Sequence, residues 1–459
     1  RHTRPMTDSA TPSSSPSHPT SALRLLERAL GLAATAWLLT AVGCGSSATT
    51  SAGTAGASGS TGGTGATGGA GAAASGGGSG LGGAAATGGA SGVGGTGPGG
   101  AGAFTPHVPG TFAHPGTRGS RYELDFVKAR LSENADPWLT HFNQAKVAGG
   151  DSTALGRALA WYLTGDSTYA DAALAALQGW VGHAPYEPPP EGQGNQSSLE
   201  GAWACSVLAP AADILSISPS FSDTDKATIK DMFKTVCLPA MLQMSYWNGN
   251  CDLTQIDALL SVSVFLEDEA SFQAGIERLD KRLPAYFYLS TDAAAVRNYG
   301  GSSEAMWTYP NAGSSGEGSA LTQWIDGVTQ ETCRDNLHHA QFAIAAALSA
   351  METAWLQGVD LYTPHQARMT AAMELMGKQL SSGDMQGVCA NAVTTADRYN
   401  TLEIGYNHYH NRMGLALPET YKALTEYGAT GSKPLRWGNQ QFNMFHETLT
   451  HGDIVYAQP

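Results

Sequence analysis

Charge is missing from one long stretch of this chain. Between residues 45 and 103 there is no lysine, arginine, aspartate or glutamate, no aromatic ring, and almost nothing but Gly, Ala, Ser and Thr. Such a stretch cannot bury a core, and glycine at this density leaves the backbone free, so residues 45–103 read as a disordered Gly/Ala/Ser/Thr linker. Basic residues are scarce elsewhere too. The chain holds 25 Lys and Arg against 39 Asp and Glu, a net charge of −14, and the acidic excess falls after the linker. A body so acidic excludes non-specific nucleic-acid binding. No CxxC pair occurs, which argues against a zinc ribbon. Five cysteines follow Cys44 (Cys205, Cys237, Cys251, Cys333 and Cys389), so disulfides within the chain leave at least one of them over. No apolar run beyond residue 43 is long enough to span a membrane. Strand-like alternation is rare, with residues 285–290 the best candidate.

What is present begins with "SALRLLERALGLAATAWLLTAVG" at 21–43: two arginines, a short apolar core, and small residues before Cys44. This is the layout of a secretory signal, and Cys44 is the expected lipidation site, although Ala41 stands where a bacterial lipoprotein signal usually has leucine. Residues 1–44 are thus a signal peptide with a lipoprotein site, and 104–459 form the folded domain. The expected location is the bacterial cell envelope, on the outer membrane or cell surface through a lipid anchor, or else periplasmic or secreted. The membrane is touched only through that anchor.

Within the domain, apolar residues recur at helical spacing over 122–131, 153–164, 167–181, 198–215, 222–242, 252–266, 271–283, 336–357, 364–380 and 417–426. The fold is therefore mainly all-α. Helices in pairs, separated by long polar loops, suggest an α/α toroid, an incomplete barrel of helix pairs around a cleft. The loops at 183–197, 244–251, 291–320 and 384–411 carry what such a cleft needs: Gln196, Trp247, Asn248 and Asn250, then Arg297 and Tyr299, then Tyr406, Asn407, His408 and Tyr409, with Arg412 just beyond the last loop. Flat rings stack on sugar faces, while amides and guanidinium groups hold hydroxyls and carboxylates. The helix over 336–357 has an unusual beginning, with Arg334, Asp335, His338 and His339 placed before a body built for burial. Helical spacing sets Arg334 beside His338 and lets Asp335 accept a hydrogen bond from an imidazole. No single spacing compels a metal site from His338, His339, His408 and His410, and no metal or other cofactor is expected. Asp326, Glu331, Asp335 and Glu403 make no recognisable glycosidase pair.

Several stretches, taken in order, resemble the alginate lyase family of polysaccharide lyases. They are "HPG" (114–116), "DFVKARLSENADPW" (125–138), "NGNCDLTQIDALLSVSVFLED" (248–268), "RLPAYFYL" (282–289), "QETCRDNLHHAQ" (330–341), "AMETAWLQGVDLY" (350–362), "EIGYNHYHNRMGLALPET" (403–420) and "HETLTHG" (446–452). The resemblance implies an α/α toroid that cleaves a uronate-containing polysaccharide, alginate or a relative, by β-elimination. It also implies a monomer acting on an acidic polysaccharide. The residues it marks as catalytic are Asn250, Arg334, His338, Tyr406, His408 and Tyr409. Those left to bind substrate are Gln196, Trp247, Asn248, Arg297, Tyr299, His339, Asn407 and Arg412. Asn, Arg or His would neutralise the uronate carboxylate, and a Tyr or His would serve as base and acid, with Tyr406, His408 and Tyr409 all open for those roles. The chain departs from the family in two places. It has Asn-Gly-Asn-Cys where well-studied members have Asn-Asn-His, and Gln341 where a tyrosine follows the arginine by seven positions. A non-catalytic lipoprotein that binds acidic glycans is the alternative these departures leave open.

Overall fold

Each long helix starts where the sequence supplies a cap. In the computed structural model, which describes residues 110–456 apart from 191–193, 246, 294–306 and 309–317, Ser120 and Glu123 form a reciprocal capping box at the first helix. The helices that follow along the described chain are α1 (Arg121–Ser132), α2 (Trp138–Ala145), α3 (Thr153–Thr164), α4 (Ser167–Gln178), α5 (Gln196–Leu215), α6 (Asp223–Met232), α7 (Leu238–Leu242), α8 (Gly249–Leu266), α9 (Glu269–Tyr286), α10 (His338–Leu356), α11 (Gln366–Ser382), α12 (Glu403–Tyr406), α13 (Pro418–Thr425) and α14 (Glu447–His451). Side chains of Asn195, Asn248 and Asp268 accept the first free N–H groups of α5, α8 and α9. Strand pairing among the described residues is limited to isolated bridges. None of the described helices is long and apolar enough to cross a membrane.

The inner row of the fold is α5, α8 and α10. Every residue of α8 is buried, and so is nearly every residue of α5 and α10, as expected of helices that are apolar all round rather than along one stripe. Leu253, Ile256, Leu260 and Val264 of α8 belong to one apolar core, while Ala258, Leu259, Val262 and Phe265 belong to the other. The three helices run parallel. Asn250 at the start of α8 donates its N–H to Glu331, just before α10, and Ser349 in the middle of α10 donates to Asp257 in the middle of α8, 2.7 Å away. At the far ends, His114 lies between Asp213 of α5 and Glu267, which closes α8. Between parallel inner helices the chain returns along outer ones, as α9 does against α8. The fold is an incomplete α/α toroid, and its geometry brings the N-termini of three inner helices to one face.

That face is anchored by buried ion pairs. Asp252, in the first turn of α8, accepts Arg278 Nε at 2.8 Å, Arg282 Nε at 2.6 Å and the Tyr286 hydroxyl at 2.8 Å, all from α9 and all buried.

The structure corrects several sequence expectations. Residues 285–290 form no strand: α9 continues to Tyr286, whose hydroxyl is tied to Asp252, and Phe287 makes a single bridge to Thr329. The helix over 222–242 is interrupted by a wide turn at Phe233–Cys237. The helix expected from 336 starts at His338, because Asn336 and Leu337 both have left-handed backbone angles, with φ of 54° and 83°. Arg334 therefore lies in a turn before α10 and not on it. Helix α2 and the helical part of 403–412 went unread inside segments with few apolar residues at regular spacing.

Replacing Asp252 by Asn removes the carboxylate from two buried guanidinium groups. The expected loss is about 3–5 kcal/mol in urea unfolding; a loss below about 1 kcal/mol would show that α9 does not hold the start of α8 through charge.

Candidate active site

The polar face of the toroid is built from backbone outward. The free N–H groups of α8 are each taken up by a different partner: Gly249 donates to Gln330 Oε1 at 2.8 Å, Asn250 to Glu331 Oε2 at 2.8 Å, and Cys251 to Asn248 Oδ1 at 2.9 Å. Ser198 in α5 donates to Asn195 at 2.7 Å, and His339 in α10 donates to Asp335 at 3.0 Å. Gly194 lets the approach to α5 lie against Trp247, since a Cβ there would come within 2.4 Å of the tryptophan Cβ. Three helix N-termini so close together favour a negative charge.

Glu331 links this backbone to the side-chain chemistry. It is fully buried, and its other oxygen accepts Arg334 Nη1 at 2.7 Å. One carboxylate thus holds both the start of α8 and the guanidinium of Arg334, whose side chain is 19% exposed. Arg334 Nε also lies 3.8 Å from Asp335, which pairs with the His339 ring. Burial alone would raise the Asp335 carboxyl, but the charge and hydrogen bond of His339, with Arg334 beside it, hold it below the usual range. The side-chain amide of Asn250 is fully buried and has no hydrogen-bond partner, an exception that calls for a reason.

His338 opens α10, and its side chain is 20% exposed. Its Nδ1 lies 2.8 Å from Asp397 Oδ2 and 3.4 Å from the hydroxyl of Tyr399. Burial, then the neighbouring His339, push its pKa below 6.5, with Asp335 and Asp397 opposing. The ring is neutral at neutral pH. Burial and the charge of Asp397 push the Tyr399 phenol up, so it stays protonated. An aromatic wall continues from this point: His338 meets Phe342 edge-on at 5.0 Å, Phe342 meets Phe442 at 4.9 Å, and Phe442 meets Trp203 at 4.2 Å. The Trp203 indole N–H has no partner.

The disulfide Cys333–Cys389 ties the turn that carries Arg334 to the loop after α11, and Cys205–Cys237 ties α5 to the turn after α6. The fifth cysteine, Cys251, is buried in the first turn of α8 and joins neither bridge.

Of the residues singled out from sequence, the structure brings together Asn248, Asn250, Arg334, His338 and His339. Trp247 stands half-buried at the same face, and Gln196 on the first turn of α5 reaches Glu200 at 3.3 Å. Tyr406, Asn407, His408, Tyr409 and Arg412 form a second group elsewhere. His408 Nδ1 lies 3.7 Å from Glu352, and Arg412 donates to Glu352 at 2.7 Å and to Glu123 at 2.9 Å. Glu352 follows His338 by 14 positions on α10, which is about 21 Å along the axis at about 1.5 Å per residue. In that group Tyr409 donates to the Tyr362 carbonyl at 3.3 Å, His408 stacks on Tyr362 at 3.4 Å, and the Asn407 amide is bonded to His451 and Tyr456. Tyr406 stacks on His410 at 4.6 Å, and burial pushes its phenol up to about 12. Neither tyrosine is set up as a phenolate. His338 and His339 are likewise apart from His408 and His410, and no group of three or more potential metal ligands gathers among the described residues. Arg297, Tyr299 and Cys44 lie outside the described residues.

Sequence reasoning passed over Asp397, Tyr399, Trp203 and Phe442. "DRYN" at 397–400 was a visible cluster of polar chemistry, but its contact with His338 spans about sixty residues, and no local spacing announces that.

No known family profile matches the chain, and no curated protein matches it. Among solved structures, a variant of alginate lyase A1-III complexed with tetrasaccharide aligns at a TM-score of 0.49 with 14% identity, over 74% of this chain and 97% of that one. Alginate lyase A1-III from Sphingomonas species A1 aligns at 0.48 with 14% identity, over the same shares of both chains. An apo form of an A1-III variant aligns at 0.45 with 16% identity, over 69% of this chain and 77% of that one.

Glu331→Ala should cost about 3–5 kcal/mol, because it leaves Arg334 and the Asn250 N–H without their shared acceptor. Urea unfolding measures this, and a loss under about 1 kcal/mol would mean the clamp is incidental.

Proposed function

We propose that this protein is a polysaccharide lyase that cleaves a uronate-containing polysaccharide, alginate or a relative, by β-elimination. The observation that carries the reading is the placement of Arg334 beside the start of α8, through one buried carboxylate, on the face where a neutral, partly exposed His338 also stands. The proton to be removed sits on the carbon bearing the uronate carboxylate and is very weakly acidic. Arg334, partly exposed beside the positive end of α8, neutralises that carboxylate and stabilises the enolate-like charge that develops. His338 takes the proton through Nε2. The electron pair of the broken C–H bond forms the new ring double bond, and the bond to the glycosidic oxygen breaks. The imidazolium just formed then protonates the departing oxygen. The products are an unsaturated uronate and a free hydroxyl, with His338 restored. The half-buried ring of Phe442, backed by the buried rings of Phe342 and Trp203, supplies a flat surface against which a neighbouring sugar ring can stack.

The rest of the chain fits the same reading. We propose that Cys44 is acylated and that the 45–103 tether holds a monomeric domain away from the cell envelope, within reach of an acidic polymer.

The test is ultraviolet absorbance of the conjugated product over a panel of alginate, polyguluronate, chondroitin, hyaluronan and pectate. Turnover of one of them should fall about a hundredfold or more in Arg334→Ala and in His338→Ala, with melting temperatures little changed. A flat trace across the panel, with binding retained, would favour the glycan-binding alternative. The pH profile is a separate check. The base must be unprotonated, and His338 has a pKa depressed below 6.5, so activity should rise with pH along a limb centred below 6.5. A limb centred well above 7 would assign the base to another group.

A further inference from the structure

The histidine at the start of α10 has two ring nitrogens, and the fold treats them differently. Nδ1 faces the carboxylate of Asp397 at 2.8 Å. An ionised carboxylate only accepts hydrogen bonds, so Nδ1 carries the proton and Nε2 carries the lone pair. The hydroxyl of Tyr399, 3.4 Å from the same Nδ1, lies on the same side. The loop bearing Asp397 and Tyr399 is laid along the first turns of α10 by three contacts. Thr395 N–H donates to the Asn336 carbonyl at 2.8 Å, Gln341 Nε2 donates to the Asp397 carbonyl at 3.2 Å, and Tyr399 N–H donates to Gln341 Oε1 at 3.3 Å. Gln341 is fully buried, so its amide grips the loop backbone on both sides of Arg398. The Arg398 guanidinium donates to the carbonyls of Thr395, Asp397 and Leu380.

We propose that Asp397 is a positioning residue for the reaction: it fixes His338 in the tautomer that presents an unprotonated Nε2 to substrate, and Gln341 holds Asp397 in place. The proposal rests on the lyase reading for its kinetic consequence but not for its structural one. The Asp397 side chain is 48% exposed, and so exposed a carboxylate contact contributes little to folding. Its removal therefore separates positioning from stability. The charged and titratable groups that face His338 are His339 and Asp335 before and along α10, and Asp397 and Tyr399 on the loop.

The experiment compares the full chain with Asp397→Asn and Gln341→Ala. Asp397→Asn should lower kcat by about tenfold or more, leave KM within about twofold, and leave the melting temperature unchanged. With the negative charge gone, the imidazolium is less stable, so the acid limb of the pH–rate profile should move to lower pH. Gln341→Ala should lower kcat in the same direction. A second readout needs no turnover: the rate of carbethoxylation of His338 by diethylpyrocarbonate, followed by peptide mass spectrometry across pH, reports the same titration. Its midpoint should fall in Asp397→Asn. An unchanged midpoint, or a kcat within about twofold of the parent, overturns the proposal. A parent protein inactive on every polysaccharide sinks the lyase reading instead, and the carbethoxylation midpoint still decides whether Asp397 sets the histidine.

Discussion

The carboxylate of Glu331 holds together two parts of the molecule that the chain supplies 81 residues apart. One oxygen accepts the Asn250 N–H at the start of the most deeply buried helix, and the other accepts the guanidinium of Arg334. A buried carboxylate is tolerated only where charged or strong donors satisfy it, so moving Glu331 would break both of these bonds at once. The cationic end of Arg334 is therefore placed relative to a helix N-terminus, not left to a flexible side chain. Everything attributed to the site depends on that fixed relation, because a guanidinium able to wander would neutralise a carboxylate no better than water does.

The toroid supplies the other half of the constraint. Parallel inner helices present their positive ends to one face, and the apolar packing of α8 against both cores keeps those ends in register. Asp252, one turn into α8, is held by two arginines and a tyrosine of the outer helix α9, so the helix start is braced from behind as well as from the side. The left-handed backbone at Asn336 and Leu337 belongs to the same arrangement. It ends the turn that holds Arg334, starts α10 at His338, and aims the Asn336 carbonyl at the loop carrying Asp397. Such angles cost free energy in residues other than glycine and persist where the surroundings impose them.

Most of the helices were legible in the sequence, since burial repeats at helical spacing whichever neighbours provide it. The limits of reading appear where a long-range contact overrides a local pattern. "AYFYLS" alternates like a strand, yet the Tyr286 hydroxyl is committed to Asp252 and keeps the segment helical through that residue. Arg334 and His338 stand out together in the sequence, but spacing puts them on one helix, whereas in the structure Arg334 lies in a turn before the helix that His338 opens. Asp335 was rightly seen as an imidazole partner, and it takes His339 while His338 takes Asp397. Asp397 and Tyr399 had no local mark that set them apart from the rest of a polar loop.

The cluster at 403–412 shows why residue type alone misleads. Two tyrosines, two histidines and an arginine within a few residues suggest a catalytic loop. Here Arg412 bridges Glu352 of α10 to Glu123 of α1 and meets the Tyr456 hydroxyl near the end of the described chain. Asn407 and His408 are spent on the same network, and Tyr409 lies fully buried beside it. These groups satisfy one another, which is what makes a buried polar cluster structural. The face with Arg334 is arranged differently. The Asn250 amide and the Trp203 indole N–H have no partner, and His338 is partly open with its Nδ1 paired to Asp397. An arginine and a histidine held by carboxylates yet still partly open are what the proposed chemistry requires.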